Sequence, residues 1–308
     1  CFQYMNCPEY TKDIHILSRK TYFLTESCHP TIMEEKFEYK RRKAGLQMNY
    51  QNATPKEVRA LIRKEQWTGP TSGMCGGYAQ ANLVILPKTY ADDFARFSQA
   101  NPKPCPVLEM TPPGDPMVRE VATADLRTDL PRYFVYRNGV RTEERLNIVD
   151  LWQDDFVGFL IGCSFSFEEA LLQAGIEIRH ISMGRNVPMY KTNLPTRGVG
   201  PFFGPTVVSM RPMTPENAQR AAEITAKFPK VHGGPIQIGN PQEIGILDLQ
   251  HPDYGDAVLV KPDEIPVFWA CGVTPQAVIE QAKLPLVITH APGHMFITDR
   301  FNIDFASK

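Results

Sequence analysis

The amino-acid sequence predicts an α/β fold, a mixed α+β arrangement in two lobes, with mixed sheets and flanking helices. Three observations predict it. Apolar runs of strand length alternate four times with stretches of helical length. Helix starts among them carry capping signals. The four strand–helix units also recur in an order that reads as an internal duplication.

Regular patterning begins at Met48, in MNYQNATPKEVRALIRKEQW. The first unit is ANLVILP followed by KTYADDFARFSQAN, and the second is DFVGFLIGC followed by SFSFEEALLQAG. The third is TVVSMRP with MTPENAQRAAEITAKF, and the fourth is PVFWACG with VTPQAVIEQAK. Thr214-Pro215 and Thr274-Pro275 place a capping threonine before a proline suited to the first helical position. Ser166 and Glu169 have the spacing of a capping box. Placing Cys163 over Cys271 also aligns Ser166 with Thr274, Gln173 with Gln281 and Ala174 with Ala282, each 108 positions apart. Pro87 over Pro212 aligns Thr89 with Thr214, 125 apart, and ADLRTDLPRYFVY resembles LDLQHPDYGDAVLV. The expected organisation is an extension over 1–47, a first lobe over 48–200 and a second over 201–308. The strand–helix units are free to regroup into discontinuous domains, and a cleft between the halves is the expected ligand site.

Composition bounds the function. With 308 residues, 43% hydrophobic and 22% charged, the chain can bury a sizeable core. A net charge of −1 provides no global field for nucleic acid or anionic membrane, so an anionic ligand would rely on local arginines. The basic run KRRK falls in the extension. No apolar run approaches the roughly 20 residues of a membrane helix. Seven irregularly spaced cysteines without a CxxC pair read as reduced thiols in a cytoplasmic setting. The first 47 residues lack the pattern of a secretory signal.

Candidate chemistry concentrates in five segments. In FLIGCSFSFEEALLQAG a strand ends at Gly162 and a helix opens near Ser166, where free amides and the helix dipole favour an anion or thiolate. Cys163 is a candidate nucleophile there, Ser164 and Ser166 are candidate donors, and Glu168 is a candidate proton-transfer group. A capped helix with a buried thiol is the plainer reading. ADLRTDLPRY concentrates Asp125, Arg127, Asp129 and Arg132, either a carboxylate clamp or a solvated charge network. GRNVPMYKTN places Arg185, Asn186 and Tyr190 on a loop after a short strand. The glycine-rich TSGMCGGYAQAN offers Ser72, Tyr78, Gln80 and Asn82, without the spacing of a nucleotide-binding loop. ITHAPGHMFITD holds His290 and His294, candidates for acid–base work. Pro292 and Gly293 separate the two and make a zinc-binding helix improbable. No cofactor is expected, and a loosely held divalent metal stays open.

Eight motifs then resemble one family: TSGxxxGYxQANLVILP, NPKPCPVLE, ADLRTDLPRY, FLIGCSFSFEEALL, GRNVPMYxTN, GPxVVSMRP, PVFWACGVTPQA and ITHAPGHMFITD. Together they are similar to the hydro-lyase family that includes D-glutamate cyclase, in order from about residue 50 to about 300. Met74-Cys75-Gly76 departs from the family's Leu-Ala-Pro-like triplet, which bears on specificity. The resemblance implies lyase chemistry with loss of water and, for the cyclase, conversion of D-glutamate to 5-oxo-D-proline. That reaction would need a carboxylate clamp from Arg127, Arg132 or Arg185. It would also need a base such as His294 or Glu168, and oxyanion donors at Ser164 and Ser166, with an acyl-Cys163 intermediate as a variant. The alternatives are a related lyase, a non-catalytic small-carboxylate sensor and a thiol hydrolase using Cys163. The expected partner is a small carboxylate or amino acid, with no nucleic acid and no membrane, and a homo-oligomer is possible.

Overall fold

Local rules act first at the helix starts of the computed structural model, which describes residues 50–307. Thr54 is extended and accepts from the Glu57 amide, while the Glu57 carboxylate answers the Thr54 amide at 2.9 Å. This reciprocal cap, with proline at the first helical position, starts α1 (Pro55–Arg63). The chain continues through β1 (Tyr78–Pro87), α2 (Lys88–Ala100), β2 (Val107–Met110), β3 (Met117–Val118) and β4 (Ala124–Asp125). Then β5 (Tyr133–Arg137) and β6 (Val140–Arg145) form a hairpin. Asn138 and Gly139 turn it with φ of 51° and 79°, the left-handed pair that matches strand twist. Next come β7 (Phe156–Gly162), α3 (Phe165–Gln173), α4 (Arg179–Ser182), β8 (Met189–Pro195), β9 (Pro205–Met213) and α5 (Pro215–Ala226). The chain ends with β10 (Gln237–Ile238), β11 (Ile265–Ala270), α6 (Thr274–Ala282), β12 (Val287–His290) and β13 (Phe296–Phe301).

These elements form an α/β protein, as the sequence predicts, with three sheets; the mixed sheets expected are instead antiparallel, because sequence alternation of strands and helices does not fix strand direction. The largest has seven strands in the order β2-β7-β1-β12-β5-β6, with β13 also paired to β1. A second has the order β10-β11-β9-β8, and β3 pairs with β4. Every pairing among these strands is antiparallel. The described residues lie within one compact unit. The largest sheet draws β12 and β13 from beyond residue 200 to pair with β1 and β5. The extension over 1–47 lies outside the described residues. Among the described residues no helix is long and apolar enough to cross a membrane.

β1 is buried on both faces, and period-two alternation sends its side chains into two cores. Leu83 and Ile85 join Phe167 and Leu171 of α3, Ala218 and Ala221 of α5, and Val267 and Trp269 of β11. Val84 and Leu86 join Phe94 and Phe97 of α2, and Val278 and Ile279 of α6. The first core therefore contains strands of both large sheets.

Two of the expected caps work differently. Thr214 caps α5 through the Asn217 amide, but neither Ser166 nor Thr274 caps a helix. Ser164 and Val273 are already right-handed helical, so each helix begins in a tight turn ahead of the hydroxyl residue. The hydroxyls serve the sheets instead. The Gln80 amide donates to Ser166 Oγ at 3.1 Å, and the Val207 amide donates to Thr274 Oγ1 at 3.0 Å. In the same way the Ser166 amide donates to the Cys163 carbonyl at 3.1 Å, and the Thr274 amide to the Cys271 carbonyl at 3.0 Å. β7 and β11 match at the expected offset. Their partner strands do not, since Ala81 faces Gly162 and Val208 faces Ala270, an offset of 127 rather than 125.

Candidate functional site

Arg211 is the starting point, because a charged side chain stands fully buried in the middle of an apolar strand. Alternation along β9 puts Arg211 on the same face as Ser209 and Val207. A guanidinium taken out of water loses several kcal/mol of hydration and needs close partners. It has them. Nε donates to Glu168 Oε1 at 2.9 Å, Nη1 to Ser209 Oγ at 2.9 Å and Nη2 to Ser164 Oγ at 3.0 Å. Nη2 also closes on Glu168 Oε1. The rings of Phe167 and Trp269 lie 5.2 and 5.5 Å from the guanidinium carbon, so π faces cover part of the charge.

Glu168 arrives from the first turn of α3, 3% exposed. His180, from α4 and 1% exposed, brings Nε2 to 3.3 Å from Glu168 Oε1 and 3.4 Å from Ser72 Oγ. Its ring stacks against Phe165 at 6.0 Å. Burial pushes the Glu168 carboxyl up, but His180 and Arg211 beside it outweigh that and hold it below the ordinary carboxylate range. Three elements, α3, α4 and β9, thus meet in a buried polar cluster, with three serine hydroxyls around it.

The structure brings some of the expected residues to this cluster and places others apart. Glu168, Ser164 and Ser72 belong to it. Cys163 lies just before it, buried, with Sγ 3.5 Å from the Phe165 amide. Burial pushes the Cys163 thiol well up and that of Cys271 to about 11, so both stay protonated at neutral pH. Ser166 is committed to the Gln80 amide. Gln80 accepts from Thr71 Oγ1 at 2.7 Å and donates to the Thr71 carbonyl at 2.9 Å, which braces the loop carrying Ser72. Asn82 donates to the Gly162 carbonyl at 2.7 Å. A Cβ on Gly272 would overlap that amide, so Gly272 allows the end of β11 to approach Asn82 of β1. Tyr78 stacks on Phe301 at 4.7 Å.

His290 and His294 flank the Pro292-Gly293 turn. His294 Nδ1 is 3.0 Å from the Pro292 carbonyl, which can only accept, so Nδ1 carries the proton. Asn186 reaches the same carbonyl at 3.0 Å and packs against Gly293. Arg127, Arg132 and Arg185, the candidates for a carboxylate clamp, make their bonds outside the Glu168 cluster. Arg127 pairs with Asp125 at 2.8 Å, Arg132 with Glu144 and the Thr68 carbonyl, and Arg185 with the Ala257 carbonyl. Tyr190 donates to the Leu249 carbonyl at 2.8 Å. It lines a surface hollow with Lys191, Asp248 and His251, on the opposite face of the β8–β9 sheet from Arg211. Among the described residues, no group of three or more His, Cys, Asp or Glu side chains is arranged to hold a metal ion.

Sequence reasoning missed Arg211, His180 and Ser209. A signal existed for the first, since an arginine interrupting TVVSMRP at an inward strand position demands a buried partner.

Comparison with known proteins bears on the same region. Residues 157–299 match the family model described as D-glutamate cyclase, a span that contains Glu168, His180 and Arg211. The chain is 60% identical over 254 residues to a "Putative hydro-lyase" of Bacillus velezensis, covering 82% of this chain and 96% of the relative. It is 61% identical over 246 residues to "Putative hydro-lyase YcsI" of Bacillus subtilis, covering 80% and 96%. A "Putative hydro-lyase" of Geobacillus kaustophilus is 58% identical over 245 residues, covering 79% and 93%. A nitrogen repressor-like protein from Methanococcus jannaschii superimposes with a TM-score of 0.32 at 10% identity, covering 73% of this chain and 88% of that one.

Proposed function

Because this chain belongs to the D-glutamate cyclase family of hydro-lyases, we propose that it closes D-glutamate into 5-oxo-D-proline with release of water. The observation that carries the reading is the buried Arg211–Glu168–His180 cluster. Cyclisation starts from an ammonium and a γ-carboxylate. The nitrogen attacks the γ-carbon, and both protons that it gives up leave with one carboxylate oxygen as water. The reaction therefore needs a proton carrier that works in both directions, and cationic or hydroxyl groups that hold the carboxylate.

His180 is the carrier in this reading. Glu168 is held ionised, so it fixes the imidazole and balances its charge rather than taking the proton itself. Arg211, with Ser164 and Ser209, supplies the positive wall of the reacting carboxylate. Burial removes competing water, and folding the substrate into a near-attack shape supplies much of the acceleration. Under this assignment the Cys163 thiol packs beside the chemistry and forms no acyl intermediate.

The test is a His180→Gln variant assayed with D-glutamate. The expected result is a fall in kcat of about 10²–10⁴-fold, the usual worth of a positioned acid–base group, with the melting temperature nearly kept. An unchanged kcat in a folded variant would remove His180 from the mechanism.

A further inference from the structure

Of the contacts that orient the His180 ring, one comes from a loop. Nε2 lies 3.3 Å from Glu168 Oε1 and 3.4 Å from Ser72 Oγ, and the ring stacks on Phe165. An ionised carboxylate only accepts, so Nε2 carries the proton and the two oxygens share it. Glu168 and Phe165 both belong to α3. Ser72 instead stands between α1 and β1, where the chain takes left-handed φ at Gly73 (77°), Cys75 (48°) and Gly77 (87°). An irregular loop of this kind holds a hydroxyl at a fixed distance only where its backbone is tied down.

The ties converge on Gln80, 3% exposed in β1. Its side-chain amide grips Thr71 at two points, accepting from Thr71 Oγ1 at 2.7 Å and donating to the Thr71 carbonyl at 2.9 Å. Thr71 Oγ1 in turn accepts from the Met295 amide at 3.0 Å, and the Thr71 amide donates to the Gly293 carbonyl at 2.9 Å. The residue before Ser72 is thus held both from β1 and from the chain entering β13. The Gln80 backbone amide also donates to Ser166 Oγ at 3.1 Å, two residues before Glu168. One strand position therefore ties down both elements that meet His180 Nε2, the Ser72 loop through its side chain and α3 through its backbone.

We propose that Gln80 is a positioning residue, acting through Ser72 to hold the His180 ring in the orientation that proton transfer needs. The chemical part of this assignment rests on the cyclisation reading above. Both polar atoms of the Gln80 side chain are spent on the loop, the nitrogen reaching the Met74 carbonyl at 3.4 Å as well. Gln80 therefore serves the site without touching a substrate. Misplacing a reacting group by about 1 Å can cost on the order of 10²-fold in rate, so a brace of this kind matters to turnover.

The test is a double-mutant cycle on the full chain, with Gln80→Met, Ser72→Ala and both together. Gln80→Met leaves the Thr71 groups with other partners, since its carbonyl keeps the Met74 amide at 3.1 Å and Oγ1 has the Gly293 carbonyl at 3.4 Å. The first readout is the ring-nitrogen NMR signal of His180 in histidine-labelled protein without substrate, assigned by its loss in His180→Gln. Each single variant should shift that signal, and the double variant should shift it no further than the larger single one. The second readout is turnover of D-glutamate. In Gln80→Met kcat should fall at least about tenfold with KM nearly kept, and Gln80→Met should cost nothing more once Ser72 is replaced. An unchanged His180 signal in Ser72→Ala overturns the proposal whether or not Gln80→Met folds. Shifts that add in the double variant overturn it too, because Gln80 then acts by another route. Coupled shifts without any turnover leave the positioning standing and remove the glutamate reading. Turnover with additive losses removes the positioning alone.

Discussion

At the scale of single residues the account turns on Arg211 and Glu168. Arg211→Met would leave a buried carboxylate with one cationic partner fewer, and breaking such a pair costs about 3–5 kcal/mol. Urea denaturation should show that loss. The double variant Arg211→Met/Glu168→Met should lose much less than the two single losses added together, since neither charge is then stranded. The pH dependence follows from the direction of the shift. The folded-state value of Glu168 is depressed below the ordinary 4.5, so its contribution is complete above about 4.5 and is lost as pH falls through the lowered value. Glu168 was legible in the sequence as a first-turn carboxylate after an apolar strand. Its partners were not, because His180 and Arg211 reach it across 12 and 43 positions from separate elements. The loop arginines drew attention by clustering, yet a cluster on a loop can pair within itself, as Asp125 and Arg127 do.

At the scale of elements, one sequence signal led to two structures. Thr214-Pro215 and Thr274-Pro275 look alike, but only Thr214 caps its helix, through a 3.3 Å bond from the Asn217 amide. Thr214→Ala should therefore cost about 1 kcal/mol, the ordinary worth of a cap. Thr274→Val should cost more in the same chemical denaturation. Thr274 Oγ1 accepts from the Val207 amide at 3.0 Å and donates to the Cys271 carbonyl at 2.7 Å; valine would strand the buried Val207 amide, while the Cys271 carbonyl keeps its bond from the Thr274 amide. A pattern of residue types cannot separate these cases, because the difference lies in whether the preceding residue has already turned helical. Gly162 gives a second element-level test. A Cβ there would run into the Lys230 carbonyl, a backbone group that cannot swing aside. Gly162→Ala should lose about 3 kcal/mol, the upper end for overpacking, and a melt within a degree of the parent would contradict the close approach of β7 to residue 230.

At the scale of the whole molecule, two buried histidines set the response to acid. Burial pushes His232 and His290 from 6.5 to about 4. A histidine depressed in the folded state leaves stability at its maximum above about 6.5 and withdraws it as pH falls towards 4. The slope is at most about 1.4 kcal/mol per pH unit for each histidine. Melting temperature measured from pH 7 to pH 4 should fall across that window. His232 sits at a left-handed φ of 84°, a conformation that asparagine tolerates, so His232→Asn should flatten the fall without straining the backbone. The α/β class was readable from strand–helix alternation. The order of the large sheet was not, since β1 pairs with β12 about 200 residues away and hydrophobic pattern alone does not name a partner. Glu168, His180 and Arg211 likewise come from α3, α4 and β9 and meet only through tertiary packing, which is why the site was only partly visible beforehand.

The central claim is tested most directly by incubating the purified chain with D-glutamate and, separately, L-glutamate, and resolving the products by chiral chromatography. The account predicts 5-oxo-D-proline from D-glutamate at a rate that collapses in His180→Gln, with the L-series inert. Absence of any lactam from either enantiomer, in a protein shown to be folded, would contradict it.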